Sequence, residues 1–167
     1  MPGVEGDQVP RLRSLLSGPW EPRDLVAFHA RHELQLLAHD PVRYRSAGRV
    51  AASAGACVPR SETASAYGEL FLAAMAALAT RERNANALLY AHRWIGRTMT
   101  PPLTRPLAAD LAGRIEAYRR GEVPLRVPAA LLARYASGGD LPWLAEQTYL
   151  APFPAGLRHA VTTSLDR

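Results

Sequence analysis

Lysine is absent from this chain. All 20 of its strongly basic side chains are arginine, and with 15 acidic residues they leave a net charge of +5. Because guanidinium groups make planar, bidentate contacts with phosphates and stack on bases, this composition favours an anionic partner, nucleic acid above all. A GC-rich genome is the alternative explanation for the missing lysine, and it implies no function.

Cysteine and long apolar runs are also scarce. The single cysteine, Cys57, excludes an internal disulfide, and a free thiol suits a reducing compartment. No stretch approaches the roughly 20 consecutive apolar residues that a membrane-spanning helix needs. The first ten residues have neither the basic start nor the apolar core of a signal peptide. We therefore expect a cytoplasmic protein with no membrane partner.

Proline is plentiful and sets the expected architecture. The 14 prolines, in a chain that is 48% hydrophobic, favour short helices with sharp ends over disorder. We predict an all-α, compact, single-domain bundle of about six or seven helices, in which the proline-rich segment 123–128 is extended. Helices are expected over residues 11–17, 22–39, 42–54, 62–80, 84–97 and 106–120, then in a short one ending at Tyr135 and a last one from 143 to 149, capped by Asp140 and ended by Pro152 and Pro154.

The domain boundaries follow from these elements. Residues 1–20 are expected to be an N-terminal extension with a short helix, residues 21–157 the helical domain, and residues 158–167 a C-terminal tail. Within the domain, Pro101 is expected to end one helix, because proline lacks the backbone N–H that a helix interior requires. Gly121 is expected to end another, because glycine is the usual residue just beyond a helix.

Three histidines fall on one stripe of the helix predicted over residues 22–39. His29, His32 and His39 lie within about 80° of one another around the helix, together with two leucines. His29 and His32 could share an ion, but His39 is roughly 15 Å further along the axis and zinc needs more ligands, so we predict no metal. Two interpretations stay open: hydrogen-bonded imidazoles packed at a helix interface, or stacking and phosphate contacts beside Arg31.

Motifs of known catalytic chemistry are missing. There is no phosphate-binding GxxxxGK[ST] loop, no GxGxxG dinucleotide fingerprint and no GxSxG nucleophile turn. Cys57 follows a glycine in a linker, and no histidine is fixed beside it in sequence. We therefore predict no cofactor and identify no catalytic residue, which leaves open whether the chain is an enzyme.

Several motifs, taken together in order and spacing, resemble the YbgA-like domain family. The resemblance covers most of the chain from about Trp20 to Leu157, and separate motifs in register make it specific. It departs from the family pattern at Asn84, where a histidine is typical, and at Leu89 and Tyr90, where a Gln-His pair is typical. The matching motifs are Phe28-His29-Ala30-Arg31-His32, Leu36-Leu37-Ala38-His39-Asp40-Pro41, Ala79-Thr80-Arg81, Asn86, Tyr118-Arg119-Arg120-Gly121, residues 123–128, residues 131–135 and residues 146–154.

The resemblance implies a function for the chain. The family is a domain of unknown function that occurs alone or fused behind a TudS-like desulfidase domain. In that fusion, the implied role of the YbgA-like part is to bind tRNA while its partner removes sulfur from thiolated uridine. The partner chemistry uses an iron–sulfur cluster with several cysteine ligands. A chain with one cysteine cannot perform that step alone.

Together, these observations lead to a nucleic-acid-binding helical module, for structured RNA such as tRNA, associated with tRNA thiouridine desulfuration or modification. One alternative is an enzyme on a small or thiolated nucleoside, with His29, Arg31 and His32 as acid–base and anion-binding groups. Another is a protein-interaction adaptor for a separately encoded TudS-like desulfidase. For the leading hypothesis we predict surface contacts with phosphates, bases and 2′-hydroxyls from His29, Arg31, His32, Arg81, Asn86, Arg119, Arg126 and Arg134.

Overall fold

The computed structural model describes residues 5–99, 102–138 and 141–151, with side chains from residue 9 onward. Throughout this part of the chain the only regular structure is helical, which confirms the all-α class. It contains nine α-helices and one 3-10 turn rather than six or seven helices. The α-helices are α1 (Glu5–Ser17), α2 (Pro22–Arg31), α3 (Glu33–His39), α4 (Pro41–Ala52), α5 (Arg60–Ala76), α6 (Arg81–Thr98), α7 (Arg105–Arg120), α8 (Arg126–Gly138) and α9 (Pro142–Ala145), and the 3-10 turn is Thr148–Leu150.

The helix predicted over residues 22–39 is two helices, broken at His32. His32 has φ −102° and ψ 7° and separates α2 from α3. Beside the break, the Gln147 side chain accepts from the Leu34 N–H at 3.1 Å and donates to the Ala30 carbonyl at 2.7 Å. These are the two groups that would bond each other in a continuous helix. A side chain inserted into the backbone ladder is a recognised cause of a sharp helix bend.

The prediction of an extended segment is wrong for residues 126–128, which form the first turn of α8. Pro128 is tolerated there because the N–H groups of a first helical turn have no partner within the helix in any case. The prediction of a last helix from 143 to 149 also needs correction. Gln147 has φ −64° and ψ 119°, which separates α9 from the 3-10 turn. The expected effects of Pro101, Asp140, Pro152, Pro154 and the tail 158–167 lie outside the described residues.

Two groups of buried side chains form the interior, and α3 lies between them. The first is built from α1, α2, α4 and α5, around residues such as Phe28, Tyr67 and Phe71. The second joins α6, α7, α8 and α9. Leu36 of α3 belongs to the first group and Leu34 to the second, and both are fully buried. Complete burial of one leucine side chain stabilises a fold by about 1.5–3 kcal/mol. Because α3 contributes one buried leucine to each group, it links the two halves of the fold.

Helix α6 is covered on part of its circumference and open on the rest. It packs against α3, α7 and α8 through Leu88, Ala91 and Ile95, which are fully buried. The opposite face is left at the protein surface. Among the described helices, none is both long and apolar enough to cross a bilayer.

Candidate nucleic-acid interface

The open face of α6 combines arginines with aromatic rings. Its residues fall within about 100° of the helix circumference, at about 100° per residue. Three of them, Asn86, Arg93 and Arg97, are exposed, whereas Tyr90 and Trp94 are half-buried along one edge. We call this set (Asn86, Tyr90, Arg93, Trp94 and Arg97) the α6 surface.

A single carboxylate organises the aromatic edge of this surface. Glu33 accepts hydrogen bonds from the Tyr44 hydroxyl, from the Tyr90 hydroxyl at 3.0 Å and from Trp143 Nε1 at 2.9 Å. We call these four residues the Glu33 cluster. It joins α3, α4, α6 and α9, and its three donors occupy three of the roughly four acceptor positions of a carboxylate. Glu33 is the first residue of α3, so the break at His32 determines where its side chain lies.

Aromatic rings from α6 and α9 meet beside this carboxylate. The centroids of Trp94 and Trp143 lie 4.5 Å apart with an interplanar angle of 38°, and Tyr90 meets Trp143 edge-on at 6.1 Å. Burial and the neighbouring Glu33 raise the pKa of Tyr90, while the positive charge of Arg97 acts in the opposite direction. Arg97 follows Tyr90 by seven residues, so the two lie on the same face of α6.

The charges around the rings leave a positive balance. Within the described part of the chain, no carboxylate forms an ion pair with Arg93 or Arg97. Arg31 pairs with Glu146 at 3.3 Å, but both side chains are more than half exposed, so this pair is screened by water and adds little stability. Glu146 lies three residues after Trp143, which places Arg31 near the Glu33 cluster. Three guanidinium groups and the carboxylates of Glu33 and Glu146 thus lie near the aromatic rings, which leaves one positive charge in excess.

Three of the residues predicted from the sequence come together at one end of α6. Arg119 donates to Asn86 Oδ1 at 3.1 Å and forms ion pairs with Glu82 and Glu116. The guanidinium carbon of Arg81 lies 5.7 Å from the centroid of the Tyr118 ring. Because Asn86 lies one helical turn before Tyr90, this group is continuous with the α6 surface.

Two other predicted residues lie elsewhere. Arg126 and Arg134 are both exposed on α8. Arg134 borders a cavity of about 280 Å³ together with Met99, Leu131 and Tyr135. Among the described residues, neither arginine has a side-chain hydrogen bond or ion pair with the α6 surface or the Glu33 cluster.

His32 is not at the surface, which corrects its predicted position as a surface contact. Its side chain is 2% exposed, Nδ1 donates to the Phe28 carbonyl at 2.7 Å, and its ring stacks on that of Phe28 with centroids 4.0 Å apart. Burial, opposed by the bond to Phe28, lowers the pKa of His32 to about 4. The imidazole is therefore neutral near pH 7, which matches the interpretation of a histidine packed inside a helix interface.

His29 and His39 also make internal contacts. His29 Nδ1 shares a hydrogen bond of 3.1 Å with the Tyr67 hydroxyl, and its ring lies parallel to that of Tyr44 at 5.5 Å. Burial lowers the pKa of His29, and Glu33 opposes this effect. His39 Nδ1 donates to the Ala77 carbonyl at 2.7 Å. In the described residues there is no group of three or more His, Cys, Asp or Glu side chains that could hold a metal ion.

Two positions at which the sequence departs from the family pattern have clear structural roles. Asn84 is buried, donates to the Thr80 carbonyl at 2.9 Å and accepts from the Tyr149 hydroxyl at 2.7 Å. It therefore joins α6 to the 3-10 turn. Tyr90, which stands where the family typically has part of a Gln-His pair, belongs to the Glu33 cluster. Its hydroxyl donates a hydrogen bond to Glu33 within the candidate interface.

Sequence analysis did not identify Glu33, Arg93 or Arg97 as site residues, and it did not include Tyr90, Trp94 or Trp143 among the predicted contacts. The positions of the α6 surface follow the spacing i, i+4, i+7, i+8 and i+11, which is the signature of one helix face. That signal is available in the sequence. The bond between Glu33 and Trp143 is not, because 110 positions separate the two residues.

Comparison with known proteins identifies the family. The family described as "Protein of unknown function (DUF1722)" matches residues 33–154. The chain belongs to this family. It is 26% identical over 138 residues to the uncharacterized protein YbgA of Escherichia coli K12, a match that covers 81% of this chain and 79% of that protein. The predicted YbgA-like resemblance is thereby confirmed. No solved structure matches the chain, and the family region includes both the Glu33 cluster and the α6 surface.

Proposed function

We propose that this DUF1722 protein binds structured RNA, with tRNA as the first candidate, through the α6 surface and the Glu33 cluster. The observation that carries the proposal is that exposed arginines and half-exposed aromatic rings share one face of α6. RNA-binding surfaces combine these two groups because guanidinium ions pair with phosphates, while aromatic side chains stack on unpaired bases.

Each part of the surface has a role in this proposal. Arg93 and Arg97 contact phosphates, and Arg31 exchanges its screened pair with Glu146 for a further phosphate contact. Asn86 extends the surface along the RNA backbone, whereas Arg119 is already paired with Glu82 and Glu116 and holds Asn86 in place. His29 supports the ring of Tyr44 from inside the protein and is not itself a contact.

The biological setting is proposed on the strength of the family resemblance. We infer an association with tRNA thiouridine desulfuration or modification, in which a TudS-like desulfidase carries the iron–sulfur cluster and this chain supplies RNA affinity. A cytoplasmic location is part of the same proposal. The exposed, free thiol of Cys57 agrees with it, since free thiols persist in reducing compartments.

The alternative of a histidine-based enzyme has less support. A general acid–base group must reach the substrate within hydrogen-bonding distance, whereas the imidazole of His32 is enclosed by Phe28 and Phe71. The adaptor alternative makes a different prediction, because a protein–protein complex with a desulfidase would survive nuclease treatment.

The proposal can be tested by fluorescence anisotropy with labelled tRNA over a series of salt concentrations. We expect the logarithm of the binding constant to fall linearly with that of the salt concentration. Replacing both arginines, Arg93→Gln and Arg97→Gln, should weaken binding and reduce the slope by about one unit for each lost phosphate contact. Arg23→Gln, at an exposed position of α2, is the matched control and should bind as the wild type does. Absence of binding at low salt, or an equal loss in the control, would contradict the proposal.

A further inference from the structure

We propose that Trp94 and Trp143 form a stacking platform for an unpaired base, so that the RNA ligand is a loop or another single-stranded element rather than an uninterrupted double helix. This inference rests on the proposed function and specifies the part of the RNA that the site recognises.

The rings of Trp94 and Trp143 are held in a fixed geometry. Trp143 is held by the bond from its Nε1 to Glu33, and its centroid lies 4.5 Å from that of Trp94. At this separation and a tilt of 38° the two rings stack on each other, so a base would extend this stack on the side of Trp94 that faces away from Trp143. Both rings are only half-buried. Rings already held in place lose little conformational freedom when a ligand binds, which favours affinity.

Two positive charges, those of Arg93 and Arg97, lie close to Trp94 along α6. Arg93 directly precedes Trp94, and Arg97 follows it by three residues, almost one helical turn. Both guanidinium groups are exposed and, within the described residues, have no carboxylate partner. A base stacked on Trp94 therefore carries its own phosphates into the reach of two arginines. An anionic partner such as RNA would pair with these guanidinium groups directly.

Unpaired loop bases can stack on the platform, whereas the bases of a duplex cannot. In a double helix the faces of the bases are covered by their neighbours, and the major groove of A-form RNA is too narrow for side chains to read. Unpaired loop bases can turn outward and stack on aromatic rings. Stacking of this kind accepts any base, because each base has a π-face. The platform thus selects for unpaired bases rather than for a particular sequence.

The experiment compares an RNA hairpin that has unpaired loop bases with a fully paired duplex that has the same number of phosphates. Because stacking of one base strengthens binding by roughly five-fold or more, we expect the wild type to bind the hairpin at least about five-fold more tightly. Trp94→Leu should abolish this preference by weakening hairpin binding more than duplex binding, and Trp94→Phe should retain part of it. Circular dichroism of each variant checks that the helices remain folded.

Tryptophan fluorescence gives a second readout that needs no variant. The chain has three tryptophans, and Trp20 is buried in the other hydrophobic group, at 6% exposure. Quenching by the hairpin but not by the duplex would therefore report on Trp94 and Trp143. The platform is overturned if the wild type binds both RNAs equally or if Trp94→Leu keeps the preference, and the proposed function then still stands. If neither RNA binds at low salt, both proposals fail.

Discussion

The Gln147 side chain bonds the two backbone groups, Leu34 N–H and Ala30 C=O, that are left unpaired at the break between α2 and α3. Its side-chain oxygen accepts the N–H of Leu34 at 3.1 Å, and its side-chain nitrogen donates to the Ala30 carbonyl at 2.7 Å. Thr148 adds a bond of 3.2 Å from its hydroxyl to the Arg31 carbonyl. The break between α2 and α3 therefore leaves these groups paired, and it turns Glu33 toward Tyr90 and Trp143.

Removal of this side chain is expected to destabilise the protein. Gln147 is 2% exposed, so Gln147→Ala leaves two buried backbone groups without partners, each at a cost of about 1–3 kcal/mol. We expect the free energy of unfolding, measured by urea denaturation, to fall by about 2–4 kcal/mol. Glu146→Ala, at the exposed neighbouring position, should change it by no more than about 0.5 kcal/mol. A similar small effect in both variants would show that the inserted amide is not needed.

The break at His32 marks the limit of what the sequence could predict about the fold. Local signals indicated most helix positions, because apolar periodicity and proline act within a few residues. The same signals predicted one helix over residues 22–39, since nothing local interrupts the pattern. The group that interrupts it, Gln147, is 113 positions away from Leu34. The number of helices was therefore underestimated at this position, because a tertiary contact rather than the local sequence breaks the helix.

Replacement of Glu33 is also expected to destabilise the fold. Glu33→Ala removes the acceptor of three donors from three different helices, and a hydrogen bond to a charged group contributes about 1.5–3 kcal/mol. Because the carboxylate is partly open to water, which can replace some of these bonds, we expect a loss of only about 2 kcal/mol in the free energy of unfolding. Glu69→Ala, at an exposed position of α5, is the control and should have almost no effect. If the two variants unfold at the same urea concentration, the cluster does not stabilise the fold.

The candidate site was only partly accessible to sequence reasoning, for the same physical reason. Arg31 and Asn86 were predicted as surface contacts, and the structure places both at exposed positions beside the rings. His32 was predicted in the same way, yet it lies on the buried stripe of Leu25 and Phe28 and stacks on the Phe28 ring. Glu33 immediately follows His32, and its role depends on partners from three other helices. Spacing along one helix indicates which residues share a face, but it does not show what covers that face.

Two glycines provide a matched pair of substitutions. Gly121 ends α7 in the left-handed region at φ 84°, and a Cβ there would lie 2.1 Å from Arg81 Nη1. Since L-residues pay about 1–2 kcal/mol for this conformation and Arg81 would also have to move off the Tyr118 ring, Gly121→Ala should lower the free energy of unfolding by about 1–2 kcal/mol. Gly96 lies inside α6 with no atom within 4 Å of a Cβ. Gly96→Ala should raise stability by about 0.5–1 kcal/mol. Equal effects of the two substitutions in urea denaturation would refute this account.

Buried His32 predicts how stability depends on pH. Burial lowers its pKa to about 4 in the folded protein, against about 6.5 in an unfolded chain. Between these values the unfolded state binds more protons than the folded state, so the free energy of unfolding rises with pH in this window and falls as the solution is acidified. The contribution is complete above about pH 6.5. Most of it is lost by pH 4.

The expected size of this effect follows from the two pKa values. At about 1.36 kcal/mol per pKa unit, His32 alone should remove about 2 kcal/mol of stability between pH 7 and pH 5, a range in which most carboxylates remain ionised. Urea denaturation at a series of pH values measures the slope. His32→Phe keeps the ring stacked on Phe28 and removes the titrating group, so its slope should be shallower even if its absolute stability differs. A slope in His32→Phe as steep as that of the wild type would mean that another group is responsible.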